Sequence, residues 1–285
     1  MDRRNFLSTL GSGIALSTLG CSRGISVGSP APGTRQLSKV GIQLYTLRDD
    51  AAKDLEGTLR NIAAAGYKEV ELLSGMKNFG MPPKQLRTLL DSLGLRAPST
   101  HVGMNAFDNM TLEMDNAQTL GHDYIVLASL SDNPSLDDYR RAADKLNEAG
   151  RIARQRGLWV AFHDEPQDFK RIDGQVRYDV MVERLDPSVT RLQLDTGNAA
   201  VGGADPVDYM KKYADRYWLF HIKDAPSFGA EHDTELGKGV VNFREILSRI
   251  DRIDEKHLYV EQESYPGAAI DSVRRDYAYL ASLKF

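Results

Sequence analysis

Six residues capable of acid–base or metal chemistry each stand at the end of a short apolar run: Glu71, His101, His163, Asp195, His221 and Glu261. Any one of them alone reads equally well as a solvated or helix-capping residue. The set carries more meaning than its members. His163, Asp195, His221 and Glu261 close four consecutive runs, and that mixture of imidazole nitrogen and carboxylate oxygen suits a catalytic divalent cation with positions left for substrate hydroxyls. Mn²⁺ or Co²⁺ fit this donor set best, and Zn²⁺ or Mg²⁺ are compatible with it. The only cysteine is Cys21, so the rest of the chain holds neither a thiolate site nor an internal disulfide.

The elements that must position these residues recur as a unit: an amphipathic helical stretch, a glycine able to close it in the left-handed conformation, then a short apolar strand. The junctions are Ala65-Gly66-Tyr67, Leu93-Gly94-Leu95, Leu120-Gly121-His122 and Arg156-Gly157-Leu158. Stripes such as Leu55, Leu59, Ile62 and Leu86, Leu89, Leu90, Leu93 have the period of helices packed on one face. Strands are predicted over 40–45, 69–73, 96–100, 124–128, 159–163, 191–195, 218–222 and 258–261. Eight alternations of strand and helix predict one α/β domain, a (β/α)₈ TIM barrel over 39–285, with its site at the C-terminal strand ends. An open doubly wound sheet is the alternative, but no Gly-rich phosphate loop follows the first strand, where Gln43-Leu44-Tyr45-Thr46 stands instead.

Outside the barrel, Arg3-Arg4-Asn5-Phe6-Leu7 precedes an apolar run, Ile14 to Leu19, too short to span a bilayer. Residues 1–21 therefore resemble a twin-arginine export signal, with Cys21 placed where a lipoprotein is lipidated, and 22–38 have the Gly, Ser and Pro content of a flexible tether. The expected location is the periplasm, with the membrane touched only through a lipid on Cys21. A net charge of −4 provides no broad basic surface, which argues against a nucleic-acid partner and for a small neutral one.

Five stretches together resemble the xylose isomerase-like barrel family of sugar (phosphate) isomerases and epimerases: Gly41-Ile42-Gln43-Leu44-Tyr45-Thr46-Leu47-Arg48, Leu194-Asp195-Thr196-Gly197-Asn198, His221-Ile222-Lys223-Asp224, Glu235-Leu236-Gly237-Lys238-Gly239 and Val260-Glu261-Gln262-Glu263. The resemblance runs from about Val40 to the C-terminus and implies the same (β/α)₈ fold. It further implies that Asp195, His221 and Glu261 are metal ligands. In the epimerases the fourth ligand is a Glu ending the fifth strand, and that Glu and the one ending the eighth strand move the substrate proton. Here His163 occupies the position, within Phe162-His163-Asp164-Glu165, so one of the two carboxylates of a symmetrical epimerisation is replaced. Glu165 shares the strand face of His163 and could substitute for it after a local shift, although Pro166 follows directly.

The resemblance implies proton abstraction beside a carbonyl, with Glu261 as base. Lys223, on the face of His221, is the expected proton donor, and His101 a second acid–base candidate. Gln43, Tyr45, Glu71, Glu165 and Asn198 are expected to contact substrate, and the segment 225–239, which carries His232, to cover the mouth as a lid. Trp218 and Phe220 are expected in the core or barrel wall. The turn Val201-Gly202-Gly203-Ala204 lacks an adjacent basic residue for a phosphate, and with the export signal this favours a free sugar, keto-sugar or glycoside. The reaction is then isomerisation or epimerisation, or elimination of the aglycone from a 3-keto-glycoside, and a non-catalytic sugar-binding lipoprotein is the reading from another class.

Overall fold

Eight parallel strands close on themselves in the computed structural model, which describes residues 33–130 and 133–285. They are β1 (Gly41–Gln43), β2 (Glu69–Glu71), β3 (Ser99–Val102), β4 (Tyr124–Leu127), β5 (Trp159–His163), β8 (Thr190–Asp195), β9 (Tyr217–Ile222) and β10 (His257–Val260), with a small hairpin, β6 (Arg171–Ile172) and β7 (Gln175–Val176), between the fifth and sixth staves. The hydrogen-bonded order β2-β1-β10-β9-β8-β5-β4-β3 is completed by parallel bridges from β2 to the β3 side, Glu69 to Arg96 and Leu72 to Thr100. This is the expected TIM barrel, in a single α/β domain.

Local chemistry explains the alternation. Asp54 caps the helix Leu55–Ala65 by accepting the Gly57 amide, and Ser135 with Asp138 forms a capping box on Leu136–Arg154. Gly66 and Gly94 end their helices at φ of 111° and 66°, where a side chain would cost strain. Leu55, Leu59 and Ile62 are buried as the stripe requires, whereas Leu89 and Leu93 are only partly covered. The hairpin was not among the expected elements. Its turn is Asp173-Gly174, both at positive φ, a short-range signal that stands in the sequence.

The core lies in two places. A large apolar layer fills the space between sheet and helices, Phe220 included. Inside the barrel, Tyr124, Val126, Ala161, Leu219 and Tyr259 form a plug, with Trp159 and Trp218 packed against it at the N-terminal end. Gly41 leaves room for this plug, because a Cβ there would come within 2.5 Å of Tyr259 Cδ1 and 3.0 Å of the Leu258 carbonyl. Gly41→Ala is therefore expected to lose about 1–3 kcal/mol of stability by overpacking, read from urea midpoints; an unchanged midpoint would contradict this packing.

Packing begins ahead of Lys39: Arg35 exchanges two backbone hydrogen bonds with Phe285 and places its guanidinium 5.2 Å from that ring. The twin-arginine segment, Cys21 and most of the expected tether lie outside the described residues. Among those described, no helix is long and apolar enough to cross a membrane.

Candidate active site

Above the apolar plug the barrel interior turns polar, because inward positions follow the period of two along each strand. Glu71 is the hub of this layer. Fully buried, its carboxylate accepts from Gln43 Nε2 at 2.8 Å, Gln193 Nε2 at 2.9 Å and His221 Nε2 at 2.5 Å, with His101 Nε2 3.2 Å away. Burial opposes its ionisation, but the neighbouring histidines outweigh that and hold the carboxyl down to about 2. Burial is also the main influence on His101, which falls to about 4 and stays neutral, its Nε2 donating to the Gln193 side-chain carbonyl at 2.8 Å.

The histidines above this layer have their tautomers set by these partners. His163 Nδ1 lies 2.8 Å from the Ala128 carbonyl, which can only accept, so Nδ1 carries the hydrogen and Nε2 is bare. His221 gives its Nε2 hydrogen to Glu71 and is left with a bare Nδ1. These two bare nitrogens face each other at 3.1 Å. Asp195 Oδ2 approaches them at 3.7 and 3.6 Å, and Glu261 Oε2 lies 2.6 Å from His221 Nδ1. Asp195 Oδ1 is already used by the amides of Gly197 and Asn198, which aims Oδ2 inward.

One ligand-type atom from each of His163, Asp195, His221 and Glu261 thus lies within 4.8 Å of the others, all four side chains buried. Asp195 Oδ2 and Glu261 Oε2 have no hydrogen-bond partner, and the 2.6 Å approach lacks hydrogen-bond geometry. Two lone pairs and two carboxylate oxygens converging in a dry place demand positive charge. A proton is one answer: burial opposes charge on His163, yet the Asp195 carboxylate beside it lifts it to about 9, and the Glu261 charge likewise raises His221 against burial. A divalent cation is the other, and two imidazole nitrogens with two carboxylate oxygens are a donor set that fits one. Because Glu71 orients His221, Glu71→Gln should lower metal affinity about 10–100-fold with the barrel intact, measured by competition with a metal indicator. An affinity within twofold of the parent would remove Glu71 from this role.

A pocket of about 300 Å³ opens above the cluster, lined by His101, His163 and Glu261 together with Tyr45, Glu165, Asn198, Lys223 and Glu263. Lys223 Nζ does not pair with its neighbour Asp224. It donates to Glu263 Oε1 at 2.6 Å and Asn198 Oδ1 at 3.2 Å, and lies 3.8 Å from Asp195 Oδ2. Burial disfavours its charge, but the carboxylates of Glu261, Asp195 and Glu263 override that and keep it an ammonium. Gly197 makes room for its stem, since a Cβ there would meet Lys223 Cγ at 2.5 Å.

Several expected positions come out differently. Gln43 and Glu71 do not line the pocket; they are hydrogen-bonded to each other in the layer beneath. Tyr45 does line it, but from a 3₁₀ turn, Leu44–Leu47, because the Gln43 side chain accepts the Tyr45 amide and ends the strand. Between His163 and Glu165, it is His163 whose nitrogen joins the cluster, while Glu165 faces the pocket, its carboxyl raised by burial to about 7. Segment 225–239 contributes nothing to the pocket lining. Asp224 ties it down by accepting the amides of Ala225, Gly237, Gly239 and Val241, and His232 is exposed elsewhere. Lys170, remote in sequence, does reach the 201–204 turn, but its ammonium donates to the Gly202 carbonyl.

Three contributors were missed. Gln193 shares the strand face of Asp195 two residues on, and Glu263 stands two residues past Glu261 just beyond β10, spacings that were present in the sequence. Asp164, which accepts the Asp195 amide at 3.0 Å, has an outward parity that conveys nothing of this role.

The comparisons with known proteins agree with the barrel fold. A sugar phosphate isomerase/epimerase of Parabacteroides distasonis superposes with a TM-score of 0.74 at 25% identity, covering 92% of this chain and 97% of that one. A structure of the IOLI protein with a bound zinc atom shares the fold, at a TM-score of 0.68 and 15% identity over 87% of this chain and 99% of that one. The inosose dehydratase of Geobacillus kaustophilus is 24% identical over 67% of this chain and 68% of its own. A family model described as xylose isomerase-like TIM barrel matches residues 59–283, from within the helix Leu55–Ala65 to the end of the last helix. With most of its length inside that match, the chain belongs to the xylose isomerase-like TIM barrel family.

Proposed function

We propose that this protein is a metal-dependent enzyme that removes the proton beside a carbonyl of a non-phosphorylated sugar or keto-sugar. The observation that carries the proposal is the convergence of His163, Asp195, His221 and Glu261 on one point at the floor of a pocket that also contains a buried ammonium, Lys223. A divalent ion bound there, Mn²⁺ or Co²⁺ first and Zn²⁺ or Mg²⁺ next, would polarise the carbonyl oxygen and acidify the neighbouring C–H. Glu261 lines the pocket and takes the proton from carbon. Lys223, held by Asn198 and Glu263, faces the developing negative charge. His101, neutral and at the pocket wall, is the second acid–base group.

A neutral substrate is supported by charge. Among the described residues lining the pocket, Lys223 is the single Lys or Arg, and it stands against Glu165, Glu261 and Glu263 with Asp195 beneath. Its ammonium is already paired with Glu263 at 2.6 Å, so no basic side chain of the lining is left to hold a phosphate, whereas sugar hydroxyls find both donors and acceptors. Such a substrate fits the periplasmic location that we infer from the twin-arginine segment.

The outcome after proton removal divides into two readings. Isomerisation or epimerisation follows the Parabacteroides relative, described as a sugar phosphate isomerase/epimerase. Elimination is favoured by His163, which removes the second carboxylate from the reacting pair, and by the relatives described as inosose dehydratases. In elimination the C–H electrons form the C=C bond, the β C–O bond breaks, and the leaving oxygen receives a proton from the Lys223 ammonium. The two are separated by incubating the protein with 3-keto-glucosides and ketoses in deuterated buffer and following products by NMR. Release of an aglycone with an unsaturated keto-sugar supports elimination, deuterium in an isomerised ketose supports isomerisation, and no exchange with either class refutes proton abstraction.

A further inference from the structure

Two grooves lead away from the catalytic pocket. One shares Gly103 and Ser129 with it and is edged by Arg141 and Lys145, whose charges are already met by Asp138 at 2.5 Å and Asp108 at 2.7 Å. The other, of about 440 Å³, shares Gly75, Val102 and Gly103 with the pocket and is lined by Ser74, Asn78, Asn105, Leu112, Glu113 and Asn116. With Lys77 also in the lining, three amides, a hydroxyl, a carboxylate and a lysine beside a few apolar atoms form a surface for hydroxyl groups.

Two further observations point at this second groove. Asn78 lines the groove while largely buried, and its side-chain carbonyl Oδ1 has no hydrogen-bond partner, a condition that costs about 1–3 kcal/mol. Asn78 is presented there by a run of left-handed residues, Lys77, Asn78 and Phe79 at φ of 54°, 45° and 53°, a backbone that side chains adopt only at a cost. The passage from pocket to groove is marked by two glycines that no turn requires. Gly103 has an ordinary φ of −83°, and a Cβ on it would meet only the mobile tip of Asn105. A Cβ on Gly75 would touch nothing closer than 3.5 Å. What both positions contribute is the absence of a side chain between two cavities.

We propose that the groove lined by Asn78, Asn105 and Asn116 binds a second hydroxylated ring, so that the substrate is a disaccharide or a glycoside with a sugar-like leaving group, its reacting ring in the pocket and its other ring across the Gly75–Gly103 saddle. This rests on the reading of the pocket as a sugar site. The test is calorimetric binding of glucose, cellobiose, maltose and trehalose to the full chain carrying its metal as purified, alongside the variants Asn78→Gly and Leu112→Trp. Glycine suits the φ of 45° at position 78, and Leu112 is 52% exposed, so both variants keep the fold. At least one disaccharide should bind about tenfold or more tightly than glucose, and each variant should erase that advantage while leaving the glucose Kd unchanged. Equal binding of all four sugars, absence of binding, or an equal effect of the variants on glucose and disaccharide would overturn the proposal. Deuterium exchange into 3-keto-glucose, measured on the same preparation, reports separately on the chemistry: exchange without a disaccharide advantage sinks only the second subsite, and the advantage without exchange sinks only the proton abstraction.

Discussion

Glu261→Gln is expected to fold like the parent and to lose about 10²–10⁴-fold in the rate of solvent deuterium entering a keto-sugar, the range that a general base contributes. The substitution preserves the shape of the side chain and one carbonyl oxygen for a cation, but removes the basicity. In the parent, burial would raise the Glu261 carboxyl, and the Lys223 and His221 charges instead hold it below its ordinary value, so it is ionised and able to accept a proton at neutral pH. Because Glu261 also stands among the four ligand-type residues, metal content must be measured on the same sample. A loss of exchange much larger than the loss of bound metal assigns the effect to proton transfer. Exchange within about threefold of the parent would move the base elsewhere, with His101 and Glu165 the next candidates on the pocket wall.

Removing the cation is expected to have the second large effect. Protein purified without chelator should contain about one divalent ion per chain, and chelation should bring exchange to background, with recovery on adding back one of Mn²⁺, Co²⁺, Zn²⁺ or Mg²⁺. Stability should move with it: at a free ion concentration a thousandfold above Kd, binding to the native state contributes about 4 kcal/mol. Asp195→Asn should abolish both effects, because Asp195 Oδ2 is the buried, unpartnered oxygen facing both histidines. Thermal melts and elemental analysis of parent and variant check this together. A melting temperature indifferent to all four ions would mean that protons on His163 and His221, and no metal, meet the charge of the cluster.

Much of this arrangement was legible because it is local. The strand over 159–163 matches in both bounds, and the other seven strands shift by one to three residues at one or both ends. The largest displacement is in β3, Ser99–Val102 against an expected 96–100, because Pro98 cannot donate to the ladder and pairing settles after it. His163, Asp195, His221 and Glu261 meet at one point because each occupies an inward position at the C-terminal end of its strand. The Asp173-Gly174 hairpin and the partners Gln193 and Glu263 were equally local.

What the chain by itself determined is the alternation of elements and the face on which each polar residue stands, since hydrophobic period, glycine closure and strand parity act within a few residues. Only the tertiary structure decided height. The stagger of neighbouring strands sets His163 level with Gln193 and Asp195 level with His221, and it sinks Glu71 into a buried hydrogen-bonded layer while Glu261 reaches the pocket. His221 and Glu71 are 150 residues apart in sequence, and their 2.5 Å contact exists because the sheet closes into a cylinder, a long-range event that no local pattern encodes.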